Sequence, residues 1–485
     1  MAAENVPAAV RWWRRAFPAL PPLDRRTRLA LAAIVAVAAV LRVLWGLSAE
    51  EPRELRDPVL YMVLADNLAD GNGYSYGDGP SQGPTAYYPP GYPLFLGGLV
   101  SLADALPGSP TTFDIAIAAN VVLSTILVLL IFSLGRRLAG APVGLTAAAV
   151  AAVWPNLVFH SGVVLTETLF LVVLTTMFLV ALATPAVARR PGWLRVAAVG
   201  VLLGITVLIR PVSLVIAPLL LVLWWDAGLV PSLRRVGLAL ASMVLVVAPW
   251  SVLSTLRMES PVLLSLNLGD NLCIGNHPGA TGGYTFPDYC SEGLGQGERP
   301  EFEVRRQSET LDRSWAFIRD EPGTVIGLVP DRARYTLRDD HDGLYVASDW
   351  GERPLFSTTT VDTLENLADG YYYLVVAGSL AGVAVLVARR RRLGAPHAWA
   401  FFVATAPVHL LSPLVTFGEP RFKMPMYPVL AVTAAVALVA AIRRARGAPD
   451  VAAVEPPGGE DGGEPSSASS PARIPEVPVS AEARG

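Results

Sequence analysis

The chain has 485 residues, of which 52% are hydrophobic and only 16% charged, and its mean hydropathy is +0.44. Soluble domains carry about 25% charged residues, so the composition excludes an ordinary soluble enzyme and points to a protein that crosses a membrane many times. A net charge of −3 gives no nucleic-acid signature; the sign pattern along the chain carries more information than the sum.

In chain order, a basic stretch (1–28, with Arg11, Arg14, Arg15, Arg25, Arg26 and Arg28) precedes the first apolar run at 29–47. Lead and run are both too long for an ordinary cleaved signal peptide, which predicts an uncleaved first helix. Further apolar runs follow at 115–134, 143–159, 163–182, 196–209, 212–225, 236–253, 371–388, 398–414 and 426–442, about ten spans in all. Arg136-Arg137, Arg189-Arg190 with Arg195, Arg234-Arg235, Arg389 to Arg392 and Arg443-Arg444 alternate with arginine-poor turns. By the positive-inside rule these clusters and both termini are cytoplasmic, and the intervening loops are extracytoplasmic. Residues 196–225 read as a hairpin of two short spans, because one long helix would put Arg195 and Arg234-Arg235 on opposite sides. Each half is then roughly 21 Å long against a hydrocarbon core of about 30 Å, which sinks Arg210-Pro211 into the outer leaflet. A charge at that depth faces a cavity or a partner, with snorkelling to headgroups as the alternative.

The predicted architecture is an all-α polytopic bundle with a large first extracytoplasmic loop and a small extracytoplasmic cap. Its parts are a basic N-terminus (1–28), an N-terminal transmembrane region bearing the first-loop site (29–253), the cap (254–370), C-terminal transmembrane helices (371–442) and a disordered cytoplasmic tail (443–485). The tail is rich in Pro, Gly, Ser, Ala and Glu and shows no periodicity. Cys273 and Cys290, the only two cysteines, both fall in the cap, where oxidising conditions favour a disulfide worth about 3 kcal/mol on a chain-entropy model.

The first loop holds the strongest candidate site. Asp57-Pro58 opens a short helix that stops at Ala69-Asp70-Gly71-Asn72-Gly73, and helical spacing sets Asp57 beside Tyr61. Asp ahead of Pro also serves as a plain N-cap, and capping does not exclude chemistry. Glu167 is a lone carboxylate near the outer end of the fourth span; the helix dipole returns too little to offset burial in lipid, so it should face water or a cation such as Arg210. Glu419, Arg421 and Lys423 lie on the outer face against the positive-inside bias, balanced by a phosphate or by each other and lipid headgroups. His160, alone in an outer turn, is counted among the substrate-side candidates, though such a histidine is more often a surface or interface residue than a base. The run Asp339-Asp340-His341-Asp342 has a metal-like composition without ligand spacing and reads as a solvated loop. Two carboxylates, out-of-place cations and aromatics including Tyr61 and Tyr88 suit displacement of a phosphate leaving group: a base takes a proton from an acceptor, cations hold the phosphate, and aromatic faces pack a sugar. No nucleotide-phosphate loop is present, so the leaving group has to arrive on a lipid.

Asp57-x-x-x-Tyr61, Gly71-x-Gly73-Tyr74, Pro89-Pro90-Gly91-Tyr92-Pro93, Thr166-Glu167-Thr168, Arg210-Pro211, Gly269-Asp270-Asn271 with Gly275-Asn276, and Glu419-Pro420-Arg421-Phe422 together resemble the polytopic GT-C glycosyltransferases. Protein O-mannosyltransferases and the aminoarabinose transferases of lipid A are the most similar in style. The resemblance implies an inverting transferase that moves a sugar from a polyprenyl-phosphate donor to a lipid, glycan or protein acceptor at the extracytoplasmic face. Asp57 would be the general base, Glu167 a second catalytic acid, and Tyr61, Tyr88, His160, Arg210, Arg421 and Lys423 substrate contacts. Many relatives carry an Asp-Glu pair in the first loop where this chain has Asp57-Pro58, which puts roles needing adjacent carboxylates in doubt; a divalent metal is left open. A lipid-linked saccharide flippase or other transporter is the competing class, and it predicts paired repeats with broken helices, which the sequence does not show.

Overall fold

The computed structural model describes residues 21–447 except 54, 77–82, 104–109, 183–190, 226–227, 295–299, 351–354 and 394. Arg11, Arg14, Arg15, Arg189, Arg190 and the tail beyond 447 thus lie outside the described residues. Within them the fold is all-α, with isolated β-bridges at Ser75–Pro84 and Gly283–Gly418. Its helices include α1 (Arg25–Gly46), α2 (Asp57–Ala69), α3 (Gly91–Ala103), α4 (Thr112–Ala139), α5 (Ala141–Ala152), the short α6 (Pro155–Phe159), α7 (Glu167–Ala181), α8 (Trp193–Ile209) and α9 (Leu229–Met258). The cap supplies α10 (Leu268–Gly275), α11 (Glu301–Asp320), α12 (Val329–Leu337) and α13 (Asp342–Asp349), and the chain returns through α14 (Thr358–Ala388), α15 (Pro396–His409) and α16 (Tyr427–Ala445). Side-chain caps fix several starts: Asp24 accepts from the Thr27 amide, Thr111 and Asp114 form a capping box, and Ser357 accepts from Thr360.

Among the described residues six helices are long and apolar enough to cross a membrane, or seven if the pair Ala141–Ala152 and Pro155–Gly162, bent by 63°, counts as one span. The expected ten is not reached by length. The expected spans at 163–182 and 196–209 are the shorter apolar helices α7 and α8, and 212–225 is a 3-10 turn, Pro211–Ile216, followed by one turn of helix, Leu219–Leu223. Apolar runs count side chains without registering where Pro211 and Pro218 cut the backbone ladder.

Arg195 at the start of α8, Arg137 at the end of α4 and Arg235 near the start of α9 lie within electrostatic range of one another, so these arginine-bearing helix ends gather together. Arg42, fully buried within α1, donates to Ala151 O (3.0 Å), Ala152 O (2.8 Å) and Ser124 Oγ (2.7 Å). It caps carbonyls left open where α5 breaks before Pro155, which is why a guanidinium is tolerated inside a span.

The cap is stapled by a disulfide between Cys273 and Cys290. It also grips the first loop: the buried Glu303 carboxylate accepts from Thr85 Oγ1 (2.7 Å) and the Ala86 amide (2.8 Å), while Asp270 takes the Tyr87 hydroxyl (2.7 Å) and pairs with Arg306 (2.9 Å). The Leu266 amide donates to Ala86 O at 2.7 Å.

Candidate active site

Asp57 is the first residue of α2, with Arg56 at the N-cap position and no side-chain cap bond. Its carboxylate is used elsewhere: the Tyr88 hydroxyl donates to Oδ1 at 2.5 Å and Arg421 Nη1 to Oδ2 at 2.9 Å. Arg421 Nε also lies 3.0 Å from Glu419 Oε1. Glu419 is extended, and Pro420 then starts the 3-10 turn Pro420–Met426, which sets the Glu419 and Arg421 side chains together. Asp57 and Arg421 retain 25% and 18% exposure, so a ligand can reach the pair. Tyr61, one turn after Asp57, is buried and packs on Tyr88 (centroids 4.9 Å) and Tyr92 (5.3 Å). Its phenol is held protonated well above the usual range, first by burial and then by the charges of Asp57 and Glu167.

Glu167 begins α7, and Arg210 ends α8 in an extended conformation, as a residue before proline must. Arg210 Nη1 donates to Glu167 Oε1 and, at 3.3 Å, to Thr166 Oγ1. The arginine is 15% exposed and the glutamate 2%, so Arg210 has a partner and does not snorkel. The Arg210 and Arg421 guanidinium carbons each lie 5.8 Å from the centroid of Phe422, and at most twice that distance separates them. Two carboxylate–arginine pairs from α2, α7, α8 and the turn before α16 therefore meet around Phe422 and Tyr61.

Three expected substrate contacts are otherwise engaged. Lys423 is fully buried: its ammonium sits 3.1 Å from Asp340 Oδ1, donates to Pro420 O at 3.1 Å and to Asp339 O, and lies 4.9 Å over the Tyr372 ring. His160 is 1% exposed, with Nε2 3.2 Å from Asp342 Oδ2 and Nδ1 2.9 Å from Asn156 O. An ammonium or imidazole closed off from water has to be matched by a partner, and here both partners come from the cap. Tyr88 spends its hydroxyl on Asp57.

The expectation of a solvated loop at 339–342 is overturned. Asp340 is fully buried and takes bonds from Trp154 Nε1 (2.8 Å) and the Tyr427 hydroxyl, while Asn156 Nδ2 donates to Asp342 Oδ1 (2.7 Å). Burial pushes the Asp340 carboxyl up despite Lys423. Burial acts on Asp342 too, but His160, Lys423 and Asn156 outweigh it and hold that carboxyl well below the usual range. Sequence reasoning missed this network; its one signal was a run of acids on the same outer side as an out-of-place lysine.

Among the described residues no three His, Cys, Asp or Glu side chains form a metal cage. Asp57 and Glu167 are each paired with an arginine, and the residue after Asp57 is Pro58.

Residues 89–254, about a third of the chain, match the family model described as dolichyl-phosphate-mannose-protein mannosyltransferase. That segment contains Glu167 and Arg210 but neither Asp57 nor Arg421. No curated protein sequence matches. Among solved structures, the Archaeoglobus fulgidus oligosaccharyltransferase complexed with Zn and sulfate is 15% identical, with a TM-score of 0.50 over 86% of this chain and 50% of that one. The same organism's AglB with an inhibitory peptide and a dolichol-phosphate gives 15% identity and a TM-score of 0.47 over 88% and 52%. ArnT from Cupriavidus metallidurans bound to undecaprenyl phosphate gives 14% and 0.38 over 83% and 76%. The chain thus spans about half the length of the archaeal structures it matches. It is similar to GT-C glycosyltransferases and has a GT-C-like fold.

Proposed function

We propose that this multi-pass membrane protein transfers a hexosyl or pentosyl group from a polyprenyl-phosphate donor to a hydroxyl or amine of a lipid, glycan or protein acceptor, at the extracytoplasmic face and with both termini cytoplasmic. The observation that supports it most is the meeting of Asp57–Arg421 with Glu167–Arg210 around one partly open site. A carboxylate beside two cations is what displacement of a phosphate requires.

Asp57 accepts the acceptor's proton; each carboxylate oxygen has a lone pair beyond the one that Tyr88 or Arg421 occupies. The acceptor atom bonds to the anomeric carbon as the bond from that carbon to the phosphate oxygen breaks, and the bonding pair leaves on the phosphate. Attack opposite the leaving group inverts the anomeric carbon. Arg421 and Arg210 take up the phosphate charge, and their guanidinium forks suit its oxygens. Glu167, almost closed off from solvent, acts as a positioning residue that aims Arg210. In this reading 29–253 and 371–442 form the membrane part, 254–370 closes the site from outside, and 1–28 and 443–485 are cytoplasmic. Radiolabelled polyprenyl-phosphate sugars incubated with the purified protein and candidate acceptors should yield free polyprenyl phosphate. Recovery of every donor intact would favour transport of a lipid-linked saccharide.

A further inference from the structure

The disulfide-closed loop between Cys273 and Cys290 is fastened to the segment that carries Arg421. At its start, buried Arg332 of α12 donates to Gly275 O (2.7 Å), Asn276 Oδ1 (3.0 Å), Leu414 O (2.8 Å) and Val415 O (3.1 Å). Asn276 Nδ2 adds a bond to Val415 O at 3.1 Å. A Cβ at Gly275 would lie 1.7 Å from Thr416 O, so only glycine lets the two backbones touch. Farther along, the Gly418 amide donates to Gly282 O at 2.8 Å. The residue after the Gly283–Gly418 bridge is Tyr284.

Tyr284 is 59% exposed although the loop that carries it is anchored at several points. Its inner edge meets Phe417 (centroids 5.5 Å), and Phe417 meets Phe422 (5.3 Å), the ring flanked by Arg210 and Arg421. The three rings form a ladder that starts between the two cations and ends in the open. The Tyr284 phenol is pushed up by partial burial and by the charges of Glu419 and Asp57, so it stands near the same carboxylates. An aromatic face at a polar mouth, on a loop of the cap and not on a spanning helix, matches a sugar ring, which offers C–H groups on its faces and hydroxyls at its edge. A prenyl chain would instead lie among the apolar spans.

Resting on the function proposed above, we infer that Tyr284 is the sugar platform of the site: its exposed ring stacks on the donor's sugar while Arg421 and Arg210 hold the phosphate. Tyr284 thereby sets how strongly the sugar-bearing lipid is preferred over the bare lipid phosphate. Isothermal titration in detergent measures both ligands against the full chain, using polyprenyl-phosphate mannose, glucose and arabinose in turn, keeping the one wild type binds most tightly, alongside polyprenyl phosphate. Tyr284→Ala should weaken the sugar-bearing lipid about five- to tenfold and leave polyprenyl phosphate unchanged, while Tyr284→Phe and Tyr284→Trp stay within about threefold of wild type. Tyr284→Ala that weakens both lipids equally, or neither, overturns the inference while the proposed function stands. Wild type that binds neither lipid removes the proposed function, and this inference with it.

Discussion

Arg421 and Lys423 stand two residues apart on one 3-10 turn, each paired with an aspartate, and the two pairs have opposite characters. Arg421–Asp57 keeps 18% and 25% exposure, and the arginine has a second acid, Glu419, beside it. Lys423–Asp340 is fully buried, its ammonium set among the Asp340 carboxylate, the Asp339 and Pro420 carbonyls and the Tyr372 ring. A partly exposed pair is eased by solvent, so a phosphate can replace the carboxylate at less cost than in a closed pair and with bidentate geometry. A buried pair cannot exchange partners without stranding a charge. Exposure, and not the type of charge, separates the cation that can meet substrate from the one that ties the cap to the last span.

The largest expected effect tests the open pair. Asp57→Asn keeps the shape and removes the base, so transfer should fall by roughly 10²–10⁴-fold with the melting temperature close to wild type. Near-normal turnover by that variant would take the open pair out of the chemistry. Lys423→Met tests the closed one, and it should cost roughly 3–5 kcal/mol by leaving Asp340 uncompensated. Adding Asp340→Asn should return much of that loss in thermal melts, because no buried charge is then stranded. Lys423→Met that melts like wild type but no longer binds polyprenyl phosphate would invert the comparison and make Lys423 a ligand group.

That comparison also marks where the sequence stops speaking. Glu167 and Arg210 stand out as charges in apolar stretches, Asp57 as the acid that opens the first-loop helix and Arg421 as a cation against the positive-inside bias, and the structure brings all four together. Lys423 gives the same signal as Arg421 but is buried against Asp340, because a misplaced charge announces a need for a partner without saying which. Its partner, Asp340, sits 83 positions away in a run that reads as solvated from composition alone. Arg42 is hidden for another reason: a single arginine barely lowers the hydropathy of a long apolar window, and the broken helix it caps is marked only by Pro155. Helix-rich membrane architecture was legible throughout, whereas the span count depended on proline breaks that hydropathy averages over.

Arg421→Lys gives a smaller and sharper test. A lysine keeps the charge but loses the fork that reaches both Asp57 and Glu419, so the donor KM should rise about tenfold with stability almost unchanged. Equal KM values for the two would mean that charge alone suffices and that the fork is not used on the phosphate.

The smallest effect is a pH dependence confined to the closed region. Asp342 has its carboxyl held below the usual range by His160, Lys423 and Asn156 against the opposing pull of burial. Its folded value lies below the unfolded one, so its contribution to stability is complete above about pH 4 and is lost as the pH falls further, at no more than ~1.4 kcal/mol per pH unit. Asp342→Asn removes that contribution at every pH. The difference in melting temperature between the variant and wild type should therefore shrink steadily below about pH 4, a range below the one in which its partner His160 titrates. A gap that stayed constant through that acid range would show Asp342 titrating alike in folded and unfolded chains, and the closed region would then owe its order to packing and not to its ion pairs.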